Sequence, residues 1–337
     1  MTVLVCTAST INDPGIDLVI GAIEARGGSA FRFETDLFPA DLRLTIGWDK
    51  KDRLLLADSE RELDLSQVSA VWIRGMDTGL KLPDDLDPGH QEAAQTESNS
   101  MVWGMLECLN VFQLDPPESL RRAPYKPRQL QLAREVGLEI PRTLITNHPS
   151  AVRDFAATCQ PGVIAKMVDG SGIRIETDHG LEPVYTRQLS AADLADLDSL
   201  SLCPMIFQEL VPKALELRIT VVGTRVFVAA IDSSASTVGT DDWRKDTGLV
   251  RGFRPFDHCP PTILDRLLAM LDRLGLNFAT IDLIVTPDGR YVFLEFNTIS
   301  GFAFIEKATD FPISGAIADL LLGLAPSRIP RRGEART

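Results

Sequence analysis

Two apolar runs around a tight-turn signal constrain this chain more than any other stretch. Residues 281–285 and 291–296 flank Pro287-Asp288-Gly289. They read as a β-hairpin whose strands are apolar enough to be buried on both faces. Yet Asp282 sits in the first run, and Glu295 and Asn297 close the second. Side chains two apart on a strand share a face, so Glu295 and Asn297 point the same way. The turn sets Asp282 roughly opposite them. Carboxylates are seldom buried unless paired or metal-bound, and neither run holds a Lys or Arg. Oxygen donors on rigid strands suit Mg²⁺, which takes one or two carboxylates and adds nucleotide phosphates. The hairpin therefore points to ATP.

A chain of 337 residues is too long for one ordinary core, and two or three units are expected. Hydrophobic residues at 45% and charged residues at 24% suit a globular protein. The net charge of −13 excludes a general nucleic-acid binder, which needs a basic face. No apolar run is long enough to span a membrane, and the N-terminus starts as a strand without the basic region of a signal peptide. The five cysteines (6, 108, 159, 203 and 259) are scattered and form no CxxC pair, so reduced thiols in a cytoplasmic protein are expected. The histidines lack metal-site spacing and no GxSxG occurs, so neither zinc nor a serine nucleophile is indicated.

In chain order, a strand over 3–6, a helix opened by Asp13-Pro14 and a strand over 30–33 predict a parallel α/β sheet. A hairpin over 42–48 and 54–57, a strand over 68–73 and a helix over 91–109 complete a first unit. Asp115-Pro116-Pro117 marks its boundary. A second unit begins near Tyr125-Lys126-Pro127 with a helix ending at Gly137. Strands near 140–147 and over 163–167 and a helix over 150–158 follow. The third unit opens at Met205 with strands over 205–211, 217–222 and 225–230. A helix over 262–274, the hairpin and a helix over 312–322 complete it, and a basic tail from Ser327 is expected to fray.

Lys166 ends a strand four residues before Gly170-Ser171-Gly172, where backbone N–H groups could cradle phosphate or simply turn a hairpin. Lys126, at a helix start, is ordinarily a solvated position. Residues 216–222 alternate strictly, leaving Arg218 on the face of Glu216 and Thr220. Glu216 could be its partner, or Arg218 could stabilise charge on a transferred phosphoryl group. Gln208-Glu209-Leu210-Val211 could present a backbone edge to a planar base. Arg244, beside Trp243 in a long polar loop, could hold a carboxylate or be solvated.

The order of these signals resembles the ATP-grasp superfamily. More narrowly it resembles the ATP-grasp ligases that mature ribosomally made peptides, the graspetide or microviridin-type maturases. The likeness is carried by Val71-Trp-Ile-Arg74, Lys126-Pro-Arg-Gln-Leu-Gln-Leu-Ala133, Pro141-Arg-Thr-Leu-Ile-Thr-Asn147, Glu216-Leu-Arg-Ile-Thr-Val-Val-Gly223, Asp242-Trp-Arg244 and Phe293-Leu-Glu-Phe-Asn297. It implies an α/β (α+β) chain: an N-terminal α/β pre-ATP-grasp domain over 1–120, then two ATP-grasp lobes clasping ATP. The central lobe with its glycine lid would span 121–204, the C-terminal lobe with the metal site 205–326, and a disordered tail 327–337. It further implies that Lys126 and Lys166 contact the nucleotide, and that Gly170, Ser171 and Gly172 form the lid. Glu209, Leu210 and Val211 would line the adenine and Glu216 the ribose. Arg218 would contact the transferred phosphate, with Arg218, Lys166 and Arg244 as the catalytic set and Arg244 on a substrate carboxylate. Asp282, Glu295 and Asn297 would hold Mg²⁺, with two ions expected. A helix over 190–199 with Asp193, Asp196 and Asp198 would bind the leader of a precursor peptide, unless it is only a solvated acidic helix. A homodimer is the expected assembly.

One departure stands out. Such maturases continue the metal motif as Asn-Pro-Asn-Gly-Gln and an aromatic, whereas this chain has Asn297-Thr-Ile-Ser-Gly301-Phe302. The implied reaction turns an Asp or Glu side chain of a peptide into an acyl phosphate, which a hydroxyl or amine captures as an ester or amide crosslink. Two rival readings keep the fold: a ligase joining an amino acid to a peptide or small acid, and a non-catalytic partner that holds a leader peptide.

Overall fold

The computed structural model describes residues 1–50, 52–76, 81–169, 174–177, 180–233, 245 and 248–329. Its first unit runs β1 (Thr2–Thr7), α1 (Pro14–Glu24), β2 (Ser29–Glu34), β3 (Arg43–Gly47), β4 (Arg53–Ala57), β5 (Glu62–Asp64), β6 (Val68–Ile73), α2 (Pro88–Cys108), β7 (Phe112–Leu114) and α3 (Pro117–Arg122). Strands β2-β1-β6-β7 pair in parallel, as the strand–helix–strand order predicts. Val3, Leu4, Val5 and Cys6 of β1 are completely buried, which a strand covered on both faces requires. The expected hairpin is present and gains a third strand in order β3-β4-β5. The Pro116-Pro117 break does not interrupt structure for long. Pro117 opens α3, because a proline at the first helical position loses no hydrogen bond.

Next come α4 (Lys126–Glu135), β8 (Thr143–Thr146), α5 (Pro149–Ala157), β9 (Val163–Met167), β10 (Arg174–Thr177), β11 (Gly180–Pro183), β12 (Arg187–Gln188), α6 (Ala191–Ala195) and β13 (Met205–Glu209). β13 corrects the predicted third unit. It pairs antiparallel with both β8 and β9, in a sheet of order β12-β9-β13-β8, so it belongs to the central sheet. The chain crosses to the last sheet only after Glu209. The helix expected over 190–199 is shorter, with α6 followed by a 3₁₀ turn over Asp198–Leu202.

The last part holds β14 (Leu215–Val222), β15 (Arg225–Ile231), β16 (Arg254–Pro255), α7 (Pro261–Leu274), β17 (Phe278–Val285), β18 (Tyr291–Asn297), α8 (Ala303–Thr309) and α9 (Ile313–Leu321). The sheet order is β16-β15-β14-β17-β18. Alternation divides its faces. Leu217, Ile219 and Val221 of β14 join Ala279, Ile281 and Leu283 of β17 in a core shared with α4 and α7. Arg218, Thr220 and Asp282 lie on the opposite face. The turn between β17 and β18 needs Gly289, whose φ is +83°. The short α8 escapes sequence periodicity because its apolar run is barely two turns long.

α8 and α9 join the first and last units. Ile16, Val19 and Ile23 of α1 and Trp72 of β6 share one core with Phe278, Phe302, Ile305, Ile317 and Leu321. Arg26, just past the end of α1, meets Asp319 of α9 at 2.6 Å. The tail is also more ordered than predicted at its start. Asn277 Oδ1 accepts from the backbone N–H groups of Arg328 and Ile329 at 2.8 and 3.2 Å, and Arg328 meets Asp272 at 2.5 Å. Among the described residues, no helix is long and apolar enough to cross a membrane.

Candidate functional site

One cavity of about 560 Å³ lies between the central and last sheets. Ten of the predicted site residues line it: Lys126, Lys166, Glu209, Leu210, Val211, Glu216, Arg218, Asp282, Glu295 and Asn297. The sequence places them on α4, β9, the exit from β13, β14, β17 and β18. Gly170, Ser171, Gly172 and Arg244 lie outside the described residues.

The hairpin sets Asp282 directly opposite Glu295, with a bulge between Asp282 and Leu283. Leu283 pairs with Phe293, so Leu294 is the extra residue. Both Leu294 and Glu295 line the cavity while Phe293 remains in the core. Bulges beside active sites re-aim side chains in this way. Asn297 follows on the same face and donates from Nδ2 to Glu295 Oε1 at 3.1 Å.

The carboxylates are not unpaired, as the hairpin alone implied. Their cations arrive from other elements. Arg218 Nη1 donates to both oxygens of Asp282 at 2.8 and 2.7 Å, across the β14–β17 ladder where the two residues are partners. Glu216 is therefore not the partner of Arg218. It pairs with Lys213 at 2.7 Å. Lys126 lies 3.0 Å from Glu295 and is 5% exposed, so the ordinary solvated helix start does not apply. Burial opposes ionisation of Glu295, but the Lys126 and Lys166 ammonium groups and the Asn297 amide outweigh it and hold the carboxyl far below the usual range.

Two positioning groups escaped the sequence reading. Gln129, one turn into α4, is buried. Its Nε2 donates to Phe296 O at 3.0 Å and its Oε1 accepts from Phe296 N at 3.1 Å, clamping α4 to β18 beside Glu295. Its place in Lys126-Pro-Arg-Gln129 was the available signal. The second is Arg74, 1% exposed at the end of β6. It lies 2.6 Å from Asp13, the N-cap of α1, and donates to Ser300 O at 2.7 Å. The Ser300 hydroxyl in turn bonds Arg218 Nη2. Burial lowers the pKa of Arg74, Asp13 opposes the shift, and Arg218 adds to it.

Asp193, Asp196 and Asp198 stand apart from the cavity. Asp193 is committed to a capping box with Ser190 and to Arg187 at 2.7 Å, and these bonds lower its pKa to about 2. Asp196 and Asp198 are exposed.

The metal prediction can be tested against the donor set. Among the described residues, no three His, Cys, Asp or Glu side chains are grouped to hold an ion by themselves. Two carboxylates and one amide on facing strands fit an ion that completes its shell with ligand oxygens, as Mg²⁺ does.

Comparison with known proteins agrees with this geometry. Residues 2–121 match the model of the MvdD pre-ATP grasp domain. The crystal structure of macrocyclase MdnC from Microcystis aeruginosa MRC, bound with precursor peptide MdnA, is 42% identical, with a TM-score of 0.84 over 96% of this chain and all of that one. The RiPP-associated ATP-grasp ligase of Chryseobacterium gregarium, in complex with ADP and a leader and core peptide, is 34% identical. Its TM-score is 0.90 over 98% of this chain and 99% of that one. Among curated proteins, β-citrylglutamate synthase B of Danio rerio is 30% identical over 133 residues, or 38% of this chain, and the match spans only 31% of that protein's length. The expected ATP-grasp fold behind a pre-ATP-grasp domain is thereby shown. With at least a third of positions identical over essentially the full length of two such enzymes, the chain belongs to the family of RiPP-associated ATP-grasp ligases and macrocyclases.

Proposed function

We propose that this protein is an ATP-dependent ligase that crosslinks side chains of a ribosomally made precursor peptide. The observation that carries the reading is the convergence of Lys126, Lys166 and Arg218 with Asp282, Glu295 and Asn297 in one cavity. The family match supports it, because the likeness to the peptide-bound enzymes covers nearly the whole chain and that to the citrylglutamate synthase little more than a third.

In this reading, Asp282, Glu295 and Asn297 hold Mg²⁺, which when bound neutralises charge on the phosphates. Lys126 and Arg218, now paired with carboxylates, turn their charge toward the phosphates of ATP. Glu209, Leu210 and Val211 flank the adenine, and Glu216 takes the ribose. Lys166 and the Gly170, Ser171 and Gly172 lid cover the triphosphate, and Arg244 orients the substrate carboxylate. A peptide Asp or Glu carboxylate attacks the γ-phosphorus and releases ADP. A hydroxyl or amine then attacks the acyl phosphate and releases phosphate, leaving an ester or amide. The chain's work is positioning, charge stabilisation and exclusion of water. Exposed Asp196 and Asp198 offer a basic leader peptide a contact. Asp193, engaged in its cap, contributes through the helix start.

The test combines purified protein with a candidate precursor, ATP and Mg²⁺. ADP release and a product lighter by one water per crosslink are expected. Absence of both with a precursor shown to bind refutes the reading.

A further inference from the structure

Arg74 belongs to the first unit, yet much of what surrounds it belongs to the last. Its guanidinium carbon sits 5.8, 5.6 and 5.5 Å from the ring centroids of Trp72, Phe278 and Phe302. All three rings are buried. A guanidinium among rings is costly unless its charge and its N–H groups are matched. Asp13 matches the charge, accepting from Nε at 2.8 Å and lying 2.6 Å from Nη2. The buried Nη1 has no hydrogen-bond partner. Replacing a buried ion pair by apolar side chains is often neutral or stabilising, so stability alone does not account for this one.

The pair fixes Ser300. Asp13 is itself held, because its Oδ1 caps α1 by accepting from Gly15 N at 2.9 Å, while Oδ2 takes Arg74. A guanidinium is a rigid planar fork, so binding Asp13 through Nε and Nη2 also fixes where Nη2 points. It points at Ser300 O, 2.7 Å away. Ser300 lies between β18 and α8 and belongs to neither, so no ladder or helix holds it. With its carbonyl anchored by Arg74, its hydroxyl bonds Arg218 Nη2.

We propose that Arg74 is a positioning residue for phosphoryl transfer, setting the direction of the Arg218 guanidinium through Ser300. The first unit thereby takes part in the chemistry by way of a residue that does not itself line the cavity. This rests on the reading of Arg218 as the group that meets the transferred phosphate. In that reading the metal claims Asp282, which weakens the hold on Nη1 and leaves Ser300 holding Nη2. A misdirected guanidinium loses charge stabilisation in the transition state and little binding of the ground state, so kcat responds and KM does not.

Steady-state kinetics of ADP release, with a precursor peptide shown to bind, tests this. Arg74→Lys keeps a charge beside Asp13, but a point charge cannot hold two acceptors at the fixed angle of the fork. It should lower kcat about ten-fold and leave KM for ATP within about two-fold. Ser300→Ala keeps the carbonyl and loses the hydroxyl. In that background Arg74→Lys should lower kcat by no more than about two-fold further, because the link to Arg218 is already cut. Losses that multiply overturn the proposal, since Arg74 then acts by a route that bypasses Ser300. An unchanged kcat in folded Arg74→Lys overturns it too. If that variant does not fold, Asp13→Asn takes its place: Oδ1 keeps the cap on α1, and an amide NH₂ faces Arg74 where an oxygen accepted. The same loss of kcat, again absent in the Ser300→Ala background, is expected, and an unchanged kcat or a multiplied loss overturns the proposal. Wild-type turnover in Arg218→Lys defeats the reading of Arg218 and this inference with it. A large loss there beside an unchanged Arg74→Lys defeats this inference alone.

Discussion

Ser300 is where two buried arginines from distant parts of the chain meet. Its carbonyl takes Arg74 of the first unit, and its hydroxyl takes Arg218 of the last sheet. Arg218 otherwise leans on Asp282, a carboxylate that the metal would claim. Ser300 then holds the guanidinium in place, which gives the unusual Thr298-Ile-Ser-Gly301 segment a physical role. Ser300→Ala should lower kcat about ten-fold with peptide affinity unchanged, by steady-state kinetics and titration. A fall in peptide affinity alone would contradict this role. Glu295→Gln should cut turnover on the order of 100-fold or more while peptide affinity holds. It also deprives buried Lys126 of its counter-charge, at a cost of about 3 kcal/mol, so its melting is followed alongside. Wild-type turnover in that variant would refute the metal assignment. The Asp282, Glu295 and Asn297 cluster was legible in sequence because strand alternation is a local rule. The Lys126–Glu295 pair was not, because no local rule says which helix end will rest on a strand 169 positions away.

At the scale of elements, the clamp between α4 and β18 decides how well the cations face the carboxylates. Gln129 meets the N–H and the C=O of Phe296 and the C=O of Ala123, so its loss takes a partner from three buried backbone groups. Gln129→Leu should destabilise the fold by about 2–4 kcal/mol, measured by denaturant unfolding. Loss of under about 0.5 kcal/mol would mean that water replaces the clamp. The bulge at Leu294 belongs to the same design. It was invisible in sequence because an extra residue in an apolar run leaves no mark in composition. The placement of β13 was missed for a related reason. Met205-Ile-Phe-Gln-Glu209 is equally apolar in either sheet, and only its partners β8 and β9 assign it.

Across the whole molecule, the first and last units share a core and a buried carboxylate. Asp115, at the end of β7, accepts from the backbone of Asn277 and Phe278 at 2.7 and 2.9 Å as β17 begins. Burial raises its pKa to about 7 despite those bonds. The folded state therefore holds this proton more tightly than the unfolded chain. The stability contributed is full below about pH 4, the unfolded value, and is lost as pH rises toward 7. Relative to Asp115→Asn, wild type should lose at most about 4 kcal/mol between those limits. Denaturant unfolding of both proteins across that range checks this, and parallel curves would refute it. In the variant one of the two N–H groups loses its acceptor, so the comparison uses the slope and not the absolute stability.

The amino-acid sequence by itself determined the parallel first sheet, the hairpin, the shared face of Asp282, Glu295 and Asn297 and the class of ligand those three suit. Those properties follow from period-two alternation, glycine and proline punctuation, and the cost of burying charge, all of which act over a few residues. Only the tertiary structure decided that Lys126 meets Glu295, that Arg218 meets Asp282 and that Arg74 reaches Ser300. Each of these joins elements whose separation in sequence carries no record of their contact. The reason is physical: long-range partners are selected by how buried faces pack, and many sequences with the same local pattern could pack them differently.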